Sequence, residues 1–440
     1  MSEPGQDHAR VTGGGVMRTL RAGLAKARAA GAGLIATALP QLFGAGVALI
    51  TVRVYSQILR PVELGRVMLV LGGWALLDVV YSAAVKQTAF FLASKPGGLW
   101  ILLERLRADR GRTAASSAAL LIVAGVLVRA AADWTYVGLA LCLAAYVLIE
   151  TRRAESVAIL GFADNRVGFG WQTAFDAAAM ALATSLALYA SPDPARLLWA
   201  STAARLTSLL FSGWLVRRRR IHGARANAQQ PDRAGLPAYF RSMMAMGAVG
   251  WLFGFLDRYL VASAGGVAIA GIYAITVGLV GRPYNVLGAA LSTQFRPGLF
   301  SGIAADDRAQ AVRAERRWFG SAAVLGIVGA LCFLVAARPV VQLLLAARYR
   351  GSALPLLPVL AVAFTCTMLS HVFDNRIMAE GRGRTLLMIQ MAGIPVAAAA
   401  LSAGAYWGGA VGAVWGRLLS EMFRLGMVAA LAARTSGRRG

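Results

Sequence analysis

The sequence is poor in acidic residues, cysteine and histidine. Its 440 residues include 20 Asp and Glu against 45 Lys and Arg, with only 3 Cys and 3 His. The cysteines all lie inside apolar stretches, where they form neither a disulfide framework nor a set with metal-ligand spacing. The histidines are far apart and have no cysteine or carboxylate neighbour at ligand spacing. We therefore expect no metal site in this chain.

The sequence also lacks the short motifs of nucleotide-binding and hydrolytic sites. It has no G-x-x-x-x-G-K-[ST] loop for nucleotide phosphates and no serine-centred G-x-S-x-G turn. An enzyme of lipid-linked sugars would need acidic residues in sizeable loops outside the membrane. The loops predicted there hold little acid beyond Glu63, Asp133 and Asp193. The sequence therefore predicts no cofactor and no enzymatic activity.

Apolar residues, by contrast, are abundant and occur in blocks. Hydrophobic residues make up 58% of the chain and charged residues 15%, with a mean hydropathy of +0.60. Blocks of about 20 apolar residues have the length that crosses the hydrocarbon core of a bilayer. We predict an all-α integral membrane protein with about twelve transmembrane helices in two six-helix bundles. The predicted spans are 34–54, 67–85, 114–132, 134–149, 171–190 and 197–216, then 243–262, 267–291, 318–337, 353–373, 385–403 and 408–433.

The distribution of basic residues predicts the domain boundaries and the orientation. We predict a tail with an amphipathic helix (1–33), two helical bundles (34–216 and 240–433), a basic linker between them (217–239) and a terminal tail (434–440). With both termini in the cytoplasm, 32 Lys and Arg lie on the cytoplasmic side and 8 on the other. This asymmetry follows the positive-inside rule. We therefore interpret the net charge of +25 as topological, with no nucleic-acid partner.

Two charged positions at membrane depth have different interpretations. A charge within a span is costly unless it faces protein, water or a ligand. Arg282 precedes Pro283 inside a long apolar block, where a proline frees backbone carbonyls, so we interpret this pair as functional. Arg53 lies near the outer end of the first span, where an anchor at the membrane interface is an equally good interpretation.

The other charges in the spans include two adjacent or closely spaced pairs. Arg417 and Glu421 are four residues apart and fit an ion pair within one helix. Asp257 and Arg258 are near a span end, where snorkelling to water and a functional role are equally good interpretations. A carboxylate near an arginine is often its counter-ion, so the coupling ion stays open. The remaining charges at this depth are Asp78, Lys86, Asp176, Arg205 and Arg424.

Two hairpins of similar layout indicate a chain built from related halves. Arg53 is followed 12 residues later by Gly65, and Arg258 is followed 13 residues later by Gly271, about 205 residues further along the chain. The segment 52–78 (VRVYSQILRPVELGRVMLVLGGWALLD) resembles the first hairpin of Wzx-type polysaccharide flippases. The segment 257–274 (DRYLVASAGGVAIAGIYA) resembles the start of their second half, with Asp-Arg, an apolar run and Gly-x-Tyr. The stretches 347–364 and 379–384 (AEGRGR) are similar to their tenth span and following loop.

The resemblance implies a transporter of the MOP superfamily in the bacterial inner membrane. Its implied substrate is an undecaprenyl-diphosphate-linked oligosaccharide for O-antigen, capsule or exopolysaccharide, moved by alternating access through a cavity between the bundles. Because arginine binds phosphate oxygens well, the implied cavity cations are the substrate-binding residues. These cations are Arg53, Lys86, Arg258 and Arg282. The candidate ion-coupling carboxylates are Asp78, Asp176 and Asp257.

Two other functions compete with the flippase. A MATE-like drug or cation antiporter would share the fold, but its cavity should be acidic. A membrane polymerase or ligase of lipid-linked glycans would need a large outer loop, and the longest predicted one is 338–352. Membrane lipids and polysaccharide-assembly proteins are the other expected partners, and we expect a monomer.

Overall fold

A computed structural model describes residues 39–40, 42–82, 84–85, 87–88, 134–162, 166–191, 193–218 and 236–437. This part of the chain is almost entirely helical. The predicted third span (114–132), the predicted amphipathic helix in 1–33, most of the linker and Lys86 lie outside the described residues. The helices are α1 (Leu42–Ile58), α2 (Pro61–Leu77), α3 (Trp134–Phe162), α4 (Arg166–Ala190), α5 (Pro194–Arg218), α6 (Leu236–Gly265), α7 (Val267–Ala304), α8 (Arg308–Val335), α9 (Ala337–Leu344), α10 (Ala347–Ala353), α11 (Leu356–Ala379) and α12 (Gly383–Gly437).

Six of the described helical stretches are long and apolar enough to cross a membrane. They are Pro61–Ser82, Gly168–Ala190, Val267–Ser292, Arg308–Val335, Leu356–Ala379 and Gly383–Ala432. The first of these ends in a π-helical turn, Asp78–Ser82. A shorter apolar helix, α1, precedes it. Length and composition therefore identify a multi-pass membrane protein.

Several helices extend beyond the predicted apolar spans. α3 continues to Phe162 and α7 to Ala304, well past the predicted ends at 149 and 291. Hydropathy marks only the part of a helix that lies in hydrocarbon, whereas backbone hydrogen bonding continues into the polar turns. The segment 338–352, which the sequence predicts to be an outer loop, instead forms the two short helices α9 and α10.

Glycines allow the two sharpest reversals of the chain. Gly266 separates α6 from α7 with a φ of 93°. Gly409, with a φ of 57°, divides α12 into two arms that pack closely against each other. A Cβ at Gly404 or Gly412 would collide with the backbone of the opposite arm. Gly266 and Gly409 thus provide the positive φ at the reversals, and Gly404 and Gly412 allow the close approach of the two arms.

The two halves of the chain meet where α2 packs on α6 and α7. A Cβ at Gly65 would collide with the carbonyl of Val267, and one at Gly271 with the carbonyl of Pro61. These two glycines were singled out by the repeated hairpin in the sequence. Both glycines therefore allow the backbones of the two halves to come into close contact.

A second connection between the halves lies at the end of α1. The Arg348 guanidinium donates hydrogen bonds to the carbonyls of Ser56 (2.9 Å) and Gln57 (2.5 Å). The Tyr349 hydroxyl donates to the Leu59 carbonyl at 2.8 Å. The last carbonyls of a helix have no partner within the helix, so these bonds cap α1. We call this contact the α1 cap.

Candidate functional site

Four helices of the first half bring together three carboxylates and two arginines. Arg205 on α5 lies 2.7 Å from Asp176 on α4, 3.4 Å from Asp78 and 3.7 Å from Glu150 on α3. Arg153 on α3 lies 3.1 Å from Asp176 and also pairs with Glu150. Glu150 is fully buried. We call these five residues the first ion-pair cluster.

A cavity of about 240 Å³ lies against this cluster. Asp78, Asp176, Arg153 and Arg205 all line it, together with Gln172. Three carboxylates and two guanidinium groups leave one formal negative charge in the cluster. Such a charge in an apolar surrounding favours the uptake of a proton or a monovalent cation.

The second half contains a second ion-pair cluster, to which α6, α7, α11 and α12 contribute Asp257, Tyr273, Asp374, Arg417, Glu421 and Arg424. Arg417 on α12 donates to Asp257 on α6 at 2.5 Å, and the Tyr273 hydroxyl on α7 donates to the same carboxylate at 2.8 Å. Arg424 on α12 donates to Asp374 on α11 at 2.6 Å. Asp257 is only 3% exposed. The carboxylate is therefore held inside the protein and does not snorkel to water.

Arg417 and Glu421 do not form the ion pair predicted within α12, because each lies closer to a different partner. Arg417 reaches Asp257, while the nearest arginine to Glu421 is Arg424, at 3.8 Å. The physical reason is that Asp257, whose other donors are the Tyr273 hydroxyl and the Arg258 amide, would otherwise be a buried charge without a cation, which is costly. Glu421 and Asp374 both pair with Arg424.

Three arginines that the sequence singled out have no carboxylate partner in the described residues. The Arg53 guanidinium reaches only the Leu345 carbonyl, at 3.4 Å. The Arg258 guanidinium lies over the Phe255 ring, 4.7 Å from its centroid. Arg282 forms no ion pair with any described residue, and its side chain is exposed. We call Arg53, Arg258 and Arg282 the arginine site.

The arginine site lies along the contact between α1 of the first half and α7 of the second, and Arg258 is contributed by α6. A Cβ at Gly278 of α7 would lie 3.8 Å from the Val52 side chain of α1. Gly278 is one helical turn from Arg282, and Val52 is adjacent to Arg53. Arg258 lies close enough to Arg282 to repel it electrostatically. The site therefore combines several positive charges with no compensating carboxylate from the described chain.

Sequence reasoning missed Glu150, Arg153, Asp374 and Tyr273. Glu150 and Arg153 were assigned to a segment outside the membrane because the hydropathy falls there. Their spacing of three residues on one helix face is the signal that could have found them. The choice of partners on other helices has no such signal in the sequence.

The predicted site residues thus fall into two groups. Asp78 and Asp176 belong to the first ion-pair cluster and Asp257 to the second, each with an arginine partner. Arg53, Arg258 and Arg282 form the arginine site. Lys86 lies outside the described residues, and among those described no group of His, Cys, Asp and Glu is arranged to hold a metal ion.

The fold is similar to that of solved transporters. The outward-facing structure of a multidrug resistance MATE family transporter of the MOP superfamily superimposes with a TM-score of 0.68 at 13% identity, over 92% of this chain and 95% of that one. The inward-facing structure of such a transporter gives a TM-score of 0.65 at 12% identity, over 91% and 99%. No protein-family model and no curated protein matches the sequence.

A third similar structure is a MOP superfamily transporter from Pyrococcus furiosus, described as having a binding pocket of reverse polarity that suggests a different function. It superimposes with a TM-score of 0.65 at 13% identity, over 91% of this chain and 95% of that one. The chain therefore has the fold of MATE transporters of the MOP superfamily.

Proposed function

We propose that this protein is a flippase that moves a polyprenyl-diphosphate-linked oligosaccharide across the bacterial inner membrane by alternating access. The observation that carries the proposal is the charge of the arginine site. Arg258 and Arg282 lie close enough to repel each other, and no carboxylate of the described chain pairs with either of them or with Arg53. Such a group of like charges becomes more favourable when an anion binds.

A diphosphate is the anion that fits this site best. Guanidinium groups bind phosphate oxygens through paired hydrogen bonds, so two neighbouring arginines can offer donors to both phosphate groups. The site lies between helices from both halves, where a transported head group must pass. The sugar would then pass between the halves while the polyprenyl chain stays in lipid.

The ion-pair clusters support a separate role for the carboxylates. Asp78, Asp176 and Asp257 bind arginines, so they do not neutralise the arginine site. The first cluster keeps one formal negative charge next to its cavity, and we propose that it takes up the coupling proton or cation.

Asp176→Asn should then remove the dependence of transport on an ion gradient while substrate binding stays unchanged. Loss of binding together with transport would contradict this role.

The second candidate is a MATE-like antiporter for cationic drugs, which the fold supports equally well. Its main difficulty is the arginine site, because cationic drugs would be repelled there. The structural relative with a pocket of reverse polarity supports the view that this fold accommodates pockets of either sign. A strain without the protein should keep its normal sensitivity to cationic dyes if the flippase proposal is correct. Increased sensitivity would favour the antiporter.

The direct test is binding of undecaprenyl diphosphate to the purified protein, measured by native mass spectrometry. Arg258→Gln and Arg282→Gln should each weaken binding roughly tenfold to hundredfold, the range expected for one lost hydrogen bond to a charged group. Arg66→Gln is the matched control, because Arg66 is an exposed arginine on α2 outside the site. Equal binding by all four proteins would contradict the proposal.

A further inference from the structure

A large cavity lies away from both ion-pair clusters and from the arginine site. It has a volume of about 800 Å³ and is formed by the end of α7, the beginning of α8 and the end of α11. This volume is within the range of small-ligand sites. Its apolar lining includes Leu299, Phe319 and Phe373, and its charged lining residues are Asp306, Arg308, Glu315, Arg316, Arg376 and Glu380.

The cavity lies at the boundary between the membrane and water. α8 begins with a charged segment, 308–317, and is apolar from Trp318 onward. Its apolar window has a mean hydropathy of 2.2. Arg316 lines the cavity from the charged segment and Phe319 from the apolar one, three residues later on the same helix. A molecule in this cavity therefore meets charge at one end and hydrocarbon at the other.

The charge around the cavity favours an anionic occupant. Arg376 is already held by Glu315, at 2.9 and 3.0 Å, and by Glu380 at 3.3 Å. Arg316 is exposed and forms no ion pair with any residue that the structure describes. The segments 293–317 and 376–384 that surround the cavity contain 8 arginines against 4 acidic residues. The cavity lining itself holds three arginines and three acidic residues, so the positive excess comes from these surrounding segments, and basic residues at a membrane surface attract the head groups of anionic lipids.

We propose that this cavity binds one anionic phospholipid. Its phosphate contacts Arg316, and its acyl chains lie on Phe319 and Phe373. The Phe319 ring is 37% exposed and packs against Phe373 with ring centroids 5.6 Å apart. The two rings thus form an apolar surface directly below the cation, as an amphiphile requires. The proposal does not depend on what the arginine site transports.

The test is native mass spectrometry of the full-length protein released from bilayers of phosphatidylglycerol and phosphatidylethanolamine in equal amounts. The wild-type protein should retain one phosphatidylglycerol in preference to phosphatidylethanolamine. Arg316→Ala should lower that occupancy about fivefold, the change expected for one basic residue near an anionic lipid. Arg313→Ala is the matched control, because Arg313 is exposed on the same helix but does not line the cavity.

Two further measurements distinguish binding in this cavity from nonspecific attraction of anionic lipids to basic residues. Phe319→Ser should lower retention of phosphatidylglycerol without changing the charge. Soluble glycerol phosphate should not displace the lipid, because it lacks the acyl chains. The proposal is overturned if Arg316→Ala and Arg313→Ala reduce occupancy equally, if neither reduces it, or if glycerol phosphate competes as well as the lipid does.

Discussion

Arg417 and Arg282 both lie within long helices of the second half, but their surroundings differ. Arg417 is hydrogen-bonded to Asp257 and Tyr273, whereas Arg282 has no carboxylate partner in the described chain. Removing one partner of a buried ion pair leaves the other charge uncompensated. The two arginines should therefore respond to substitution in opposite ways.

Arg417→Ala should destabilise the protein by about 3–5 kcal/mol, because Asp257 is left buried without a cationic partner. The measurement is the thermal unfolding midpoint of the purified protein in detergent. Arg417→Gln combined with Asp257→Asn should recover part of the loss, since no charge is then left unpaired. If the double variant is no more stable than Arg417→Ala, the pair does not determine stability.

Arg282→Ala should keep or raise the unfolding midpoint, because it removes a cation without a carboxylate partner. The same variant should lose transport, since the proposed phosphate contact is absent. Both quantities are measured on one preparation, with Arg66→Ala as the control for a change of one charge. A large fall in the unfolding midpoint would mean that Arg282 has a structural partner, and it would remove the main support for the arginine site.

At the scale of whole elements, the α1 cap connects the two halves at the predicted outer surface. It consists of hydrogen bonds to backbone carbonyls and to the Ser56 hydroxyl, which accepts from the Ala346 amide at 3.1 Å. Alternating access requires contacts of this kind to break and form again. The α1 cap should therefore open when the outer side of the protein opens.

A disulfide across the α1 cap tests this expectation. In a chain whose three cysteines are replaced by serine, Ser56→Cys with Ala346→Cys should form a disulfide on oxidation. The bond should block transport, and a reductant should restore it. Each single cysteine variant is the control. Transport at the full rate by the oxidised double variant would show that the α1 cap does not move.

The glycine contact between α2 and α7 gives a second test at this scale. Gly271→Leu should separate the helices, because even a Cβ would collide with the Pro61 carbonyl. The expected result is a lower unfolding midpoint and lost transport. Gly250→Leu on α6 is the control, since no atom lies within 4 Å of a Cβ built there. Equal effects of the two substitutions would mean that close packing at Gly271 is unimportant.

For the whole molecule, hydropathy predicted the positions of the helices in the chain better than it predicted which side chains contact one another. The hairpin joining α6 to α7 was predicted because two long apolar blocks leave room only for the turn at Gly266. The ends of α3 and α7 were missed because helices continue beyond the hydrocarbon core. Short helices α9 and α10 were missed because their apolar periodicity is too short to be distinguished from a loop.

The partners of the charged residues could not be predicted from the sequence. Arg417 and Asp257 are 160 residues apart, and Arg205 and Asp176 are 29 apart. Their pairing depends on how each helix is rotated about its axis, which hydropathy does not determine. The predicted cations and carboxylates nevertheless fall into chemically distinct groups, with the carboxylates paired and the arginine site uncompensated.

The central claim is that the arginine site serves the translocation of a lipid-linked oligosaccharide. The most direct measurement is mass spectrometry of lipid-linked oligosaccharides in a strain depleted of this protein and complemented with wild-type, Arg282→Ala or Arg66→Ala. A finished repeat unit on polyprenyl diphosphate should accumulate on depletion, disappear with the wild type and Arg66→Ala, and persist with Arg282→Ala. Normal surface glycan with no accumulated precursor would contradict the claim and favour the antiporter.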